Sequence, residues 1–128
     1  MGRERREQTR FLVQDSAFAA LGLRLPKVGR IKDISTGGLA FDYLTDYVMD
    51  EISNGKSDKS ALSINIFLSG NGFHLSDMRC AVVYDVVGDI LTNSFIIKRR
   101  CGIKFQELTE RQMTKLGFFF ADYAIGIL

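Results

Sequence analysis

Two short stretches carry the residues most able to do chemistry. The first is Arg6-Glu7-Gln8-Thr9-Arg10, with Arg5 directly before it. The second is Asp33-Ile34-Ser35-Thr36-Gly37-Gly38. An arginine presents a planar fork that bonds bidentately to phosphate or to the O6/N7 edge of guanine, and its flat face stacks on a base. A carboxylate such as Asp33 accepts the two N–H donors of guanine's Watson–Crick edge. Asp33 and Ser35 are two apart, so an extended chain turns both side chains to one face. Gly37 and Gly38 permit positive φ and a close approach of backbone to ligand. Together the two stretches form an anion- and guanine-binding set, suited to a guanine nucleotide with a compact phosphate portion.

Either stretch alone has an ordinary explanation. An RxxxR spacing in a basic segment is commonly a solvated charge run. A DxSxxG is commonly a plain turn in which Asp or Ser bonds the local backbone. The conjunction is what carries weight. Arg6-x-x-x-Arg10 followed by Asp33-x-Ser35-x-x-Gly38 resembles the RxxxR and [D/N]xSxxG pair of PilZ domains, the bacterial receptors for cyclic di-GMP. Leu39-Ala40-Phe41 is similar to the strand that follows the second motif in that family. Arg100 to Phe105, followed by Leu108-Thr109, is similar to its last strand leading into a C-terminal helix. The segment from Asp42 to Asp77 is the least family-like. The resemblance implies a small β-barrel that binds cyclic di-GMP and passes the signal to a separate effector protein. It implies Arg5, Arg6, Arg10, Asp33, Ser35, Gly37 and Gly38 as ligand-binding residues. In those roles Arg6 and Arg10 clamp phosphates or stack on guanine, Asp33 reads a guanine edge, Ser35 adds a hydrogen bond and Gly38 leaves room. The extra guanidinium of Arg5 suits a stacked pair of ligands, so two molecules per chain are expected. The alternative is a barrel of the same kind that serves as a protein-interaction module and binds no nucleotide.

Other activities find less support. The chain has one His and no nucleophile–base pair recognisable from spacing, so no enzyme is expected. Cys80 and Cys101 lack a CxxC spacing and read as small buried apolar side chains, with no metal or cofactor. His74, between Phe73 and Leu75, reads as a surface or edge residue. A net charge of +2 is too small for sequence-independent nucleic-acid binding. No apolar run reaches the ~18–20 residues of a membrane span, and the N-terminus lacks the apolar stretch of a signal peptide. A cytoplasmic location is expected.

The elements that must position the site follow from pattern. The 128 residues fit one domain. Residues 1–10 read as a flexible arm that becomes ordered on binding ligand. Strands are expected over Ala17–Leu25, Val28–Ile34, Gly38–Leu44, Ala61–Leu68, Met78–Val87 and Phe95–Gln106. Gly70-Asn71-Gly72 marks a hairpin, Gly88-Asp89 a turn, and Asp46 to Lys59 a long loop. In the last strand Ile97, Cys101, Ile103 and Phe105 share a face with Arg99, an alternation expected of a barrel wall. A helix is expected over 109–125, N-capped by Thr109 with Gln112 completing a capping box. Its stripe of Met113, Leu116, Phe120 and Tyr123, with Phe119 alongside, would plug the barrel's open end, the rival reading being a docking surface for a partner. With ten Phe and no Trp, Phe is expected to supply much of the core. The fold expected is all-β: a six-stranded antiparallel PilZ-like barrel with a C-terminal α-helix and a flexible N-terminal arm.

Overall fold

The structure is a computed structural model that describes residues 8–22, 26–46, 48–49, 62–70, 72–90 and 95–128. Its strands are β1 (Phe11–Val13), β2 (Ala17–Leu21), β3 (Lys27–Ile34), β4 (Gly38–Asp46), β5 (Leu62–Leu68), β6 (His74–Ile90), β7 (Ile96–Phe105) and β8 (Ala124–Ile127). The helix α1 (Glu110–Tyr123) precedes β8.

Six of these strands close on themselves. The order runs β2-β5-β6-β7-β4-β3, and β3 pairs back onto β2. All these pairings are antiparallel. Closure leaves the wall no open edge to template aggregation. The edge of β3 opposite β4 changes partner along its length. Lys27 to Arg30 pair with β2, and Ile34 pairs with Phe11 of β1. Strand β1 in turn carries β8. A two-stranded ribbon is thereby attached to the six-stranded barrel.

Period-two patterning is what closes the wall. In β2 the residues alternate between buried and half-buried, with Ala17, Ala19 and Leu21 inward. In β7 Ile97, Arg99, Cys101, Ile103 and Phe105 are all buried. The core is mainly aliphatic, contrary to the expectation from phenylalanine content. Only Phe41, Phe105 and Phe119 are buried, among Ile31, Ile34, Leu39, Ile64, Ile66, Leu68 and Met78. Branched aliphatic side chains fit a narrow pleated wall, and several other Phe rings gather around the helix instead. Cys80 and Cys101 are free and buried. Burial pushes their thiols up, to about 11 and about 12, so both behave as apolar side chains.

The two ends of the barrel are closed differently. At one end α1 packs Leu116 and Phe119 into the core. Phe119 lies 5.3 Å from the Phe73 ring and 5.6 Å from Tyr123. The expected capping box is present, with Thr109 Oγ1 accepting from Gln112 N–H and Gln112 Oε1 accepting from Thr109 N–H. Met113 is exposed, so the plugging stripe begins at Leu116. The helix ends at Tyr123, and Ala124 and Ile125 belong to β8.

The other end is closed by charge. Arg99 Nε donates to Asp85 Oδ1 at 2.8 Å, and Lys27 Nζ reaches Asp85 Oδ2 at 2.9 Å. The Tyr43 hydroxyl donates to the same carboxylate at 2.7 Å. Burial disfavours the ionised Asp85, but the bonds from Arg99, Lys27 and Tyr43 outweigh it and hold the carboxyl below its ordinary value.

Two local expectations change. Gly88 and Asp89 form no turn, because β6 continues to Ile90. A register irregularity between Val87 and Asp89 takes up the misfit. The hairpin between β5 and β6 is present, with Gly70 and Gly72 at φ of +89° and +81°. Asn71 lies outside the described residues, as does most of the expected 46–59 loop.

Candidate functional site

The DxSxxG turn joins β3 to β4 and is built from its own hydrogen bonds. Ser35 N–H donates to the Gly38 carbonyl at 2.8 Å. The buried Ser35 hydroxyl accepts from Gly37 N–H at 3.1 Å. The Gly37 carbonyl then accepts from Phe105 N–H of β7 at 2.8 Å. Ser35 therefore shapes the turn, and its hydroxyl is committed to the backbone.

The two glycines are required for different reasons. A Cβ on Gly38 would run into the carbonyl oxygen of Ile103, which is rigid β7 backbone. Gly38 thus leaves no room for a side chain, because the β7 backbone already fills that space. The atoms nearest to a Cβ on Gly37 are those at the end of the Gln8 side chain. There the room is filled by the arm.

The two sequence motifs meet in space. Arg10 Nε donates to Asp33 Oδ1 at 2.9 Å, and Arg10 Nη2 reaches the same oxygen at 2.8 Å. The pair is part-buried, with the Asp33 side chain 15% exposed. The carboxylate fixes one edge of the guanidinium. Arg5 and Arg6 lie outside the described residues.

Beside this pair opens a cavity of about 740 Å³, within the range of small-molecule sites. Gln8, Arg10 and the Ser35–Gly38 turn line one side, and Tyr84, Lys104 and Met113 line another. The Tyr84 ring lies against Gly102, where a Cβ would collide with it. The barrel wall nearby carries a second charge cluster. Arg100 bonds Asp42 through Nε at 2.6 Å and Nη2 at 3.0 Å, with Lys98 at 3.6 Å. Burial opposes the Asp42 charge, yet Arg100 and the nearby lysines hold its pKa below the ordinary carboxylate value. The arrangement offers an anion a guanidinium held from behind, an exposed ammonium and an aromatic face. Among the described residues no cluster of three or more His, Cys, Asp or Glu side chains could hold a metal.

The backbone fold matches solved structures over nearly all of its length. The complex of K. pneumonia MrkH with c-di-GMP superposes with a TM-score of 0.64 at 20% identity, over 94% of this chain and 52% of that one. The PilZ domain of YcgR from Escherichia coli, with c-di-GMP, gives a TM-score of 0.57 at 14% identity over 90% of both chains. The chain has the PilZ-domain fold. Borreliella burgdorferi PlzA in complex with c-di-GMP shares the PilZ-like barrel at a TM-score of 0.55 and 13% identity, over 85% of this chain and 44% of that one. The chain spans about half the length of MrkH. No protein-family model and no curated protein sequence matches it.

Within this PilZ fold, Arg10, Ser35, Gly37 and Gly38 line one cavity, with Asp33 bound to Arg10 at its edge. Tyr84, Lys104 and Gln8 were not singled out as site residues from sequence. Gln8 sits inside the RxxxR motif, which is a usable signal. Tyr84 and Lys104 come from β6 and β7, and only the strand register brings them to the turn.

Proposed function

We propose that this chain is a receptor for cyclic di-GMP that acts without catalysis and passes its signal to a separate effector protein. The carrying observation is the ion pair between Arg10 and Asp33, which joins the two motifs at the edge of the cavity. The support from outside the chain is the fold it shares with proteins solved with c-di-GMP. In this reading Arg5, Arg6 and Arg10 neutralise phosphate and stack on guanine. Asp33 holds Arg10 and accepts from a guanine edge. Ser35, Gly37 and Gly38 set the shape of the turn beneath the ligand. The arm has too few apolar residues to fold by itself, so the nucleotide orders it, and that ordered surface is what the effector reads.

The fold's own use of Ser35 and Gly38 favours one second reading. A chain could keep this turn for stability alone and serve as an interaction module without nucleotide. Calorimetric titration of the purified protein with cyclic di-GMP, and with GTP as control, separates the two. The receptor reading requires a dissociation constant in the micromolar range or tighter, about −8 kcal/mol or better, and far weaker GTP binding. No heat of binding with cyclic di-GMP would leave the interaction module.

A further inference from the structure

We propose that the C-terminal strand β8 is a positioning element for the ligand site and acts through Arg10. The inference rests on the receptor reading above and adds a component to that site. Arg10 stands immediately before β1, which is only three residues long. Strand β1 meets the barrel strand β3 at a single register position, Phe11 with Ile34. It meets β8 at three, Phe11 with Ile127, Leu12 with Gly126 and Val13 with Ala124. The ladder continues past β1, where Leu128 N–H donates to the Arg10 carbonyl at 2.9 Å. Arg10 is therefore held at two points, its guanidinium by Asp33 and its backbone by Leu128.

The side chains of β8 do not explain why the strand is there. Ile125 and Ile127 are 66% and 70% exposed, and Leu128 is 61% exposed. They add little to the core, so the strand's main contribution is backbone pairing with β1. Helix α1 supports the same segment from the other side, with Phe120 4.9 Å from the Phe11 ring. Without the bond from Leu128, the backbone at Arg10 loses its own anchor to the C-terminal strand and gains freedom about the Phe11 pairs beside it. Binding must then order it, and the lost freedom weakens affinity.

The test is a substitution that removes one N–H and no charge. Leu128→Pro deletes the donor, and the extended Ile127 before it suits a following proline. Calorimetry with cyclic di-GMP should show affinity about three- to tenfold weaker, the worth of one backbone hydrogen bond. The thermal unfolding midpoint should stay close to wild type. Leu128→Val, which keeps the N–H, should restore binding. In an Arg10→Ala background, Leu128→Pro should have no further effect, because its influence runs through Arg10. Unchanged affinity in Leu128→Pro, or an equal loss in the Arg10→Ala background, overturns the inference while wild-type binding keeps the receptor reading intact. A wild type that does not bind cyclic di-GMP overturns the receptor reading, and this inference with it.

Discussion

Adding one methyl group at each of the two adjacent glycines should have opposite consequences. At Gly38 the new Cβ lies in the path of the Ile103 carbonyl oxygen. Neither β4 nor β7 can yield there without disturbing the paired register of Gly38 with Lys104. Forcing an extra carbon into a packed site is worth about 1–3 kcal/mol of destabilisation. Replacing glycine also stiffens the unfolded chain, which returns about 0.4–1 kcal/mol. Because the obstacle is rigid backbone, the packing cost falls in the upper half of its range, and the net for Gly38→Ala is about 1–2.5 kcal/mol, a drop of roughly 4–9 °C in Tm for a domain of this size. At Gly37 the obstacle is the end of the exposed Gln8 side chain, which can swing away. Gly37→Ala should therefore leave Tm at or slightly above wild type. It should weaken cyclic di-GMP binding instead, because it displaces the arm from the turn. Differential scanning calorimetry and ligand titration on the two variants check both halves. Equal Tm shifts, or a Gly38→Ala protein as stable as wild type, would refute the assignment of Gly38 to the barrel and Gly37 to the arm.

Arg10→Ala should weaken cyclic di-GMP binding more than tenfold, because a charge-assisted bond to phosphate is worth ~1.5–3 kcal/mol. Asp33→Ala should also lose affinity and Asp33→Asn should keep part of it, with the losses at positions 10 and 33 less than additive in calorimetry because the two side chains act as a pair. Wild type should bind two ligands per chain and Arg5→Leu fewer, and a calorimetric ratio of one for wild type contradicts the stacked pair. Removing the carboxylate with Asp85→Ala should destabilise the barrel by about 3 kcal/mol in urea unfolding, since it takes a carboxylate partner from buried Arg99 and from Lys27. Asp85 and Asp42 both have folded pKa values held below the ordinary one. Their contribution is thus complete above about pH 4–5 and is lost as pH falls through the folded values. Stability measured from pH 6 downward should fall on that side, and fall less steeply in Asp85→Ala.

The barrel strands were legible as apolar runs between turn signals, and β2, β5 and β7 also by the alternation of buried and less buried positions. The ribbon was not. Strand β1 has three residues, too few to show a period. Strand β8 follows α1 directly, and its first two residues, Ala124 and Ile125, fall within the span 109–125 expected of the helix. Glycine and aspartate together at 88–89 signal a turn, whereas the register irregularity there lets the long β6 run on. Asp33 and Arg10 were legible as partners in chemistry, since their types and spacing point to one anion site. Their direct ion pair was not, nor were Tyr84 and Lys104, because register between distant strands leaves no local mark. Alternation placed Arg99 inside the barrel, but nothing near it in sequence names Asp85, fourteen residues away.

That inward arginine bears on how the β6–β7 hairpin finds its alignment. The two strands pair through two register irregularities, and their outer residues include Val82, Val83, Val86 and Val87, which are exposed and nearly interchangeable. Hydrophobic matching alone distinguishes poorly between neighbouring alignments of so repetitive a strand. A slip of one residue would turn Asp85 outward and leave Arg99 inside the barrel without that carboxylate. Burying a charge in that way is far more unfavourable than mismatching two valines. The cluster at the barrel's charged end thus works as a ratchet tooth: it penalises the adjacent alignments more than the mismatch of valines does.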